Sequence, residues 1–287
     1  MKVPSVKVDI APAELLDKIT ILSIKSERID DLEKRKNVQL ELDKKYGKWP
    51  AQVIPNTPRY EHAMNIFLNY VLEERDPDVA LIWSSEPDKS QHAYGVGAPE
   101  SQRALHEADS QFGRLVERLQ VSQKLRDCQV LILSDHGYST IIKPINIEEE
   151  LRNSELEAVL TARKILIAQN GGSALLYISD SDRDIAVQVV DWLVSQEWCG
   201  TILASERLGD IEGTIPSSAV SYDGPRCPDL TISFKWNSER NAEGYMGKVY
   251  STGGESGLGQ HGSMSRHEMN NTLICQGTRF RGCLLYT

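Results

Sequence analysis

The stretch "QVLILSDHGYST", residues 129 to 140, has the pattern of a buried strand that ends in a tight polar turn. Its apolar run, Val130 to Leu133, is continuous, which is typical of a strand buried on both faces. Asp135 and His136 follow almost directly, and Gly137 allows a sharp turn and the close approach of another backbone. The stretch therefore predicts an element of a central sheet and, at its end, two side chains that can bind a metal ion.

Segments of similar character recur along the chain, and helical patterns separate them. Apolar runs predict strands at 78–84, 129–134, 174–179, 200–205 and 229–236. Helical periodicity predicts helices at 60–75 and 99–121, another that begins near residue 146, and one at 181–196. Because helices between buried strands imply crossover connections, this alternation predicts an α/β fold with a mainly parallel central sheet flanked by helices.

The N-terminal part of the sequence has a different pattern. Residues 12–46 predict one long helix, since apolar side chains recur near a seven-residue spacing and charged residues fill the other faces. Residues 48–60 contain three prolines and predict a linker. We therefore expect an N-terminal helical segment at 1–47, followed by the linker and a larger α/β domain at 61–287. The helix is a candidate surface for a partner protein.

The composition excludes several classes of protein. The formal charge of −9 leaves no basic stripe for a nucleic-acid polymer. No apolar stretch is long enough to cross a bilayer, and the N-terminus lacks the apolar core of a secretory signal. The five cysteines are odd in number and form no CxxC pair, which indicates reduced thiols. We therefore expect a cytoplasmic protein with neither a nucleic-acid polymer nor a membrane as its partner.

Two further loops carry side chains that can bind a metal ion. Asp88 and His92 lie four residues apart after the predicted strand at 78–84, and His261 lies in the glycine-rich stretch "GGESGLGQHGSMS". Alone, Asp88 has the ordinary explanation of a turn or helix cap, and each histidine that of a surface residue. Ligands collect beyond the carboxyl ends of parallel strands, and carboxylate with imidazole suits Zn²⁺. Together with the Asp-His pair at 135–136, the three loops predict a metal site.

Four stretches together resemble the phosphodiesterase and nucleotide pyrophosphatase branch of the alkaline phosphatase superfamily, over residues 78 to about 282. They are "PDVALIWSSEPDKSQHAYGVGAPE", "VLILSDHGYST", "NGGSALLYIS" and "QHGSMSRHEMNNTLICQGTRFRG". The resemblance implies an alkaline-phosphatase-like fold, incomplete at both ends, that hydrolyses a small phosphate ester or nucleotide-like substrate. Residues 1–46 instead resemble a small uncharacterised bacterial family and form an appended segment.

The resemblance also implies a two-zinc centre around the phosphate. It assigns Asp88, His92 and His261 to one zinc ion, and Asp135 and His136 to the other. In the implied reaction a Ser or Thr oxygen attacks phosphorus and forms a covalent phosphoenzyme. The two metal ions stabilise the attacking and leaving oxygens.

The nucleophile is the point at which this sequence departs from the family pattern. The family places an Asp and then a Thr or Ser well upstream of the Asp88 loop. Thr20 falls inside the predicted helix, Thr57 lies too near to Asp88, and Ser139 and Thr140 follow the metal pair. No catalytic residue is therefore assigned, and the missing nucleophile region predicts impaired hydrolysis.

Other functions stay open from the sequence. A phosphonate hydrolase or phosphomutase of the same superfamily would share the metal residues, because those residues do not select the reaction. A non-catalytic relic would bind metal through the same side chains and associate with a partner through its N-terminal helix. Asp9, after "VKV", is a further candidate for the early metal ligand, although the residues that follow it do not fit the family pattern.

Overall fold

The computed structural model describes residues 32–124, 127–222 and 224–280. The chain divides into two compact units that interleave along the sequence. One unit comprises residues 1–90 and 102–125, and the other comprises residues 91–101 and 126–287. The predicted boundaries at residues 47 and 60 stay predictions, and residues 12–31 of the predicted long helix lie outside the described residues.

The first unit is helical, and its elements agree with the predicted helices except for the short helix at Asp88–Tyr94, where a loop was predicted. They are α1 (Leu32–Tyr46), α2 (Thr57–Ile66), a π-helical segment (Phe67–Arg75), the start of α3 (Asp88–Tyr94) and most of α4 (Pro99–Val121). A proline in the first turn of α2 suits a helix start, because its missing N–H would be unsatisfied there. Leu42, Met64, Phe67 and Leu68 form a buried apolar core. The described part of the predicted long helix, α1, is indeed helical.

The prediction of a strand at residues 78–84 is wrong. The segment has no regular secondary structure in the described part of the chain. Val79 is 81% exposed, Leu81 is 53% exposed and Trp83 is 37% exposed. An apolar run becomes a strand only where a neighbouring backbone bonds to its N–H and C=O groups, and composition alone does not supply that neighbour. The segment is instead the connection that leads into α3.

The second unit contains the sheets. Its described α-helices are three between the strands and a fourth near residue 266. In chain order its strands are β1 (Val130–Leu133), β2 (Ser139–Pro144), β3 (Ile165–Asn170), β4 (Ser173–Ile178), β5 (Cys199–Ala204), β6 (Ile215–Pro216), β7 (Leu230–Phe234), β8 (Trp236–Arg240), β9 (Met246–Ser251), β10 (Gly259–Gln260) and β11 (Leu273–Gln276). The helices are α5 (Ile147–Arg152), α6 (Glu157–Thr161), α7 (Arg183–Val194) and α8 (Arg266–Met269).

These strands form three sheets, of order β3-β4-β7-β5-β6, β10-β2-β9-β8 and β1-β11. Only β2–β9 and β5–β6 pair in parallel among the described strands. The α/β class is confirmed, but "mainly parallel" is too loose a description of these mixed sheets. The hairpin between β3 and β4 shows why: Gly171, at φ +61°, reverses the chain without a crossover. The prediction that residues 130–133 belong to a central sheet and are buried on both faces is wrong, because β1 pairs only with β11 among the described strands, and Leu131 and Leu133 are 52% and 62% exposed. A continuous apolar run therefore specifies neither burial on both faces nor strand direction.

The core of this unit lies between α7 and the five-stranded sheet. Asp182 caps α7 by accepting hydrogen bonds from the backbone of Asp184 and Ile185, at 3.1 and 3.3 Å. The inward face of α7 buries Val189 and Leu193 completely, in the same cluster as residues of β4 and β7. Each such side chain stabilises the fold by about 1.5–3 kcal/mol. The packed sheet therefore provides rigid support for the loops beside it.

None of the described helices is long and apolar enough to span a bilayer.

Candidate metal centre

Helix α3 presents Asp88 and His92 one turn apart, so both side chains lie on the same face. The start of this helix is held by Glu86, whose carboxylate is buried at 3% exposure. One oxygen of Glu86 accepts from the backbone N–H of Ser90 at 3.1 Å, and the other accepts from that of Asn56 at 2.6 Å. Backbone bonds of this kind fix the direction in which the first turn of α3 presents Asp88.

The loop that carries His261 lies between β10 and α8 and is packed against the β3–β4 hairpin. The backbone N–H of Gly172 donates to the carbonyl of His261 at 2.7 Å. A Cβ atom on Gly172 would lie 2.6 Å from the nitrogen of Ser263, so only glycine permits this approach. Met264 N–H donates to the Ser233 hydroxyl at 2.8 Å. Gly171 and Gly172 form the turn of this hairpin, and Gly172 also supports the His261 loop.

Asp88, His92 and His261 come together as a group. Each offers one ligand atom, these atoms all lie within 4.8 Å of one another, and all three residues are half-buried. His92 Nδ1 lies 3.0 Å from the carbonyl oxygen of Gly259. Because a carbonyl can only accept, Nδ1 carries the proton in this contact and Nε2 keeps its lone pair. This is the arrangement that prepares an imidazole to bind a metal ion.

The Asp135–His136 turn follows β1 and is held by close backbone packing. A Cβ atom on Gly137 would lie 2.2 Å from the carbonyl oxygen of His267, which confirms the predicted need for glycine. His136 Nδ1 contacts the carbonyl of Gly137 at 2.9 Å, and its Nε2 lies 3.3 Å from Asp135 Oδ2. With the proton on Nδ1, a neutral His136 directs a lone pair at a carboxylate. This places two acceptors against each other. An imidazolium, which donates from Nε2, or a cation shared by the two side chains would make the contact favourable.

The structure brings His92 of α3 together with the loops that carry His136 and His261. The ring of His136 stacks on that of His261 with centroids 3.6 Å apart, and the ring of His92 lies 5.0 Å from that of His261. Among the described residues, Asp135 and His136 do not belong to the three-residue group. The roles of all five side chains as metal ligands stay predictions.

Two residues of the centre were not predicted from the sequence. Tyr138 is only 9% exposed, and its ring lies edge-on to His92 and His261 at 5.3 and 5.2 Å. Its position directly after the Asp-His-Gly turn was the available signal. Glu268 is 2% exposed and lies on the four-residue helix α8, which is too short to show a periodic pattern.

The hydroxyl-bearing residues near the Asp-His pair are buried in the fold and are poorly placed to act as a nucleophile. Ser139 is fully buried in β2, and Thr140 is 5% exposed. The hydroxyl of Thr140 accepts a hydrogen bond from the Asn241 side chain at 3.0 Å. Thr57 is the first residue of α2, while Thr20 and Asp9 lie outside the described residues. The nucleophile therefore stays unassigned.

Comparison with known proteins gives a consistent result. The model of a family described as type I phosphodiesterase / nucleotide pyrophosphatase matches residues 9–263. Bis(5'-adenosyl)-triphosphatase ENPP4 of Bos taurus is 33% identical over 116 residues, which cover 33% of this chain and 24% of that protein. Ectonucleotide pyrophosphatase/phosphodiesterase family member 7 of Homo sapiens is 31% identical over 70 residues, covering 24% and 15%.

A solved structure shows the same fold. Murine ectonucleotide pyrophosphatase / phosphodiesterase 5 superimposes with a TM-score of 0.53 at 17% identity, covering 77% of this chain and 53% of that one. At this identity the likeness concerns the fold alone. The chain spans about half the length of this structure and a quarter or less of the two curated relatives.

Proposed function

This chain belongs to the type I phosphodiesterase / nucleotide pyrophosphatase family, and on that premise we propose that it is a zinc-dependent hydrolase of phosphate esters. One observation carries the proposal: the ligand atoms of Asp88, His92 and His261 all lie within 4.8 Å of one another. Asp88 and His92 come from α3 and His261 from the loop after β10, the two segments that the sequence pattern selected for this role.

The donor set of this group fits zinc. Two imidazole nitrogens and one carboxylate oxygen are ligands that zinc prefers, and catalytic zinc sites use three protein ligands and leave one position open. The Gly259 carbonyl holds the His92 tautomer in which Nδ1 carries the proton and Nε2 has the lone pair that a metal ion requires. A zinc ion bound there would act as a Lewis acid on a phosphoryl oxygen.

We propose that Asp135 and His136 contribute to a second ion. The supporting observation is the 3.3 Å contact between His136 Nε2 and Asp135 Oδ2, which leaves two acceptors facing each other when the imidazole is neutral. A shared divalent cation would convert this unfavourable contact into a favourable one. Carboxylate and imidazole are again the donors expected for zinc.

The remaining residues of the centre orient the ligands. The stack of His136 on His261 restricts rotation of both rings, and the buried Tyr138 lies against them. Ligands held in this way lose little conformational entropy when an ion binds. We propose a nucleotide-like ester or anhydride as the substrate, because two relatives carry names of nucleotide-hydrolysing enzymes.

The test combines metal content with turnover. We expect the purified chain to hold close to two zinc ions, and to hydrolyse bis-p-nitrophenyl phosphate at an impaired rate, because no nucleophile is assigned. His261→Ala should lose this hydrolysis, whereas His106→Ala, at an exposed position on α4, should retain it as the matched control. Unchanged turnover in His261→Ala would show that the metal assignment is wrong.

A second candidate function is metal binding without hydrolysis. The observation that favours it is that the described residues contain one three-residue group, while Asp135 and His136 form only a pair. One zinc ion per chain with no turnover would support this function. No bound zinc would exclude both candidates.

Two sequence predictions carry over as proposals. One is that the protein works in the cytoplasm, which fractionation of cells that produce the full-length chain would test. The other is that the N-terminal helix binds a partner. Surface substitutions on the described part of that helix, α1, should then weaken the association, and an unchanged interaction would contradict the proposal.

A further inference from the structure

Glu268 joins the two loops whose imidazole rings stack. Its backbone carbonyl accepts a hydrogen bond from the N–H of Gly137 at 2.6 Å. Its carboxylate oxygen Oε2 accepts another from the N–H of Ser263, also at 2.6 Å. Gly137 directly follows His136, and Ser263 lies two residues after His261. A single residue of α8 thus bonds to both histidine loops.

The burial of the Glu268 carboxylate lowers the stability of the fold, which indicates that the residue has a role other than stabilisation. Glu268 is 2% exposed, so its carboxylate has lost the water that would solvate it. The second oxygen, Oε1, is buried and has no hydrogen-bond partner in the described part of the chain. Burial of a carboxylate in this state opposes folding. An apolar side chain would avoid that cost, but it would leave the N–H of Ser263 unsatisfied and the His261 loop untied.

Helix α8 is itself firmly anchored, so Glu268 is a fixed point for both loops. Ser265 is fully buried and caps the helix by accepting from the N–H of His267 at 3.2 Å. The Glu268 N–H donates to the carbonyl of Ser265 at 2.9 Å. On the other side, the backbone of Gly137 approaches His267 so closely that no Cβ fits. A shift of either loop would therefore break contacts with α8.

We propose that Glu268 is a positioning residue that holds the imidazoles of His136 and His261 in their stacked arrangement. It does so through its backbone carbonyl on one side and its carboxylate on the other. The expected consequence for metal binding rests on the proposed function. The positioning itself does not, since it concerns the chain's own atoms.

The first test requires no metal. In the full-length protein labelled with ¹³C-histidine, six histidines should give resolvable Cε1–H signals, and substitution of each histidine assigns them. Stacking shifts the signals of His136 and His261 upfield. We expect Glu268→Ala to lose these shifts and Glu268→Gln to keep them, because the amide oxygen can still accept from Ser263. If the alanine variant does not fold, Glu268→Asp, with its shorter side chain, replaces it.

Asp229 supplies the matched control. Its carboxylate is also buried, at 4% exposure, and accepts a backbone hydrogen bond from Ile178 at 2.7 Å. That bond lies in the five-stranded sheet. Among the described residues, no hydrogen bond joins Asp229 to either histidine loop. Asp229→Ala should lower the thermal midpoint, as Glu268→Ala does, but leave the histidine shifts in place.

The second test is a titration of the metal-free protein with Zn²⁺ and with Co²⁺. Loss of a residue that orients metal ligands weakens binding by about 10- to 100-fold. We expect this loss in Glu268→Ala, a change of less than about threefold in Glu268→Gln, and none in Asp229→Ala.

The outcomes separate the two proposals. Retained stacking shifts in a folded Glu268→Ala or Glu268→Asp protein would overturn the positioning role, whatever the titration shows. Equal loss of the shifts in Asp229→Ala would show that any general destabilisation disturbs the stacked rings. That result would overturn the proposal as well. A wild-type protein that binds no metal, but whose histidine shifts depend on Glu268, would refute the proposed function and support the positioning role.

Discussion

The imidazole ring of His136 lies on that of His261, with 3.6 Å between the centroids and 15° between the planes. The two residues belong to loops far apart in the sequence, one after β1 and the other after β10. Stacking shields one face of each ring from water. The two loops therefore form one centre, and the following predictions treat it as a unit.

The first prediction separates the two sets of proposed ligands. His92→Ala removes one of three clustered ligand atoms, so we expect zinc affinity at that group to fall by at least about 100-fold. His136→Ala leaves the group intact and should lower the zinc content from about two ions per chain to about one. Zinc titration of the metal-free protein measures the affinity, and elemental analysis after dialysis measures the zinc content. The division of ligands is contradicted if His136→Ala keeps about two zinc ions per chain, or if it weakens binding at the Asp88, His92 and His261 group as much as His92→Ala does.

The second prediction concerns Tyr138, whose buried ring contacts the histidines. Tyr138→Ala leaves a cavity beside them, and we expect a loss of about 3 kcal/mol in the free energy of unfolding. Tyr138→Phe keeps the ring and should lose only about 1 kcal/mol. Urea unfolding followed by tryptophan fluorescence measures both. Nearly equal losses would mean that the hydroxyl group, and not the ring, is the important part of Tyr138.

The third prediction concerns the hairpin that supports His261. A Cβ atom on Gly172 would meet the nitrogen of Ser263 at 2.6 Å, so Gly172→Ala forces the His261 loop to move. We expect this variant to lose about 1–3 kcal/mol of stability and to bind zinc more weakly.

Gly113→Ala is the matched control for that variant. Gly113 lies in α4, and nothing lies within 4 Å of the position its Cβ would occupy. This substitution should stabilise the protein by about 0.5–1 kcal/mol, because alanine is the better helix former. Thermal unfolding of both variants gives the comparison, and the idea of close packing fails if Gly172→Ala is as stable as the wild type.

The fourth prediction follows from the burial of a thiol. Burial raises the pKa of Cys199 to about 12, so its sulfur stays protonated and unreactive at pH 8. Cys275 is exposed and should react readily with a maleimide under the same conditions. Peptide mass spectrometry after labelling of the native protein distinguishes the two sites. Labelling of Cys199 as fast as Cys275 would show that β5 is not packed as described.

Local patterns predicted many elements correctly, because their causes are local. Helical periodicity predicted α7 within residues 181–196, and α4 extends over the predicted residues. The requirement for glycine at 137 was also predicted, since the sequence pattern indicated a close approach of another backbone, which His267 provides. The prediction of a strand at 78–84 was wrong because a strand needs a neighbouring backbone to bond with. The sequence does not show which backbone segments lie beside each other.

The amino-acid sequence by itself determined the α/β class, the longer helices, the strands β1, β4, β5 and β7, and the identity of the candidate ligands, because these depend on spacing and side-chain chemistry along a few residues. Only the tertiary structure decided that Asp88, His92 and His261 form one group, that His136 stacks on His261, and that Glu268 bonds to both histidine loops. These relationships depend on long-range packing of loops, which arises from backbone contacts between distant residues and leaves no periodic signal in the chain.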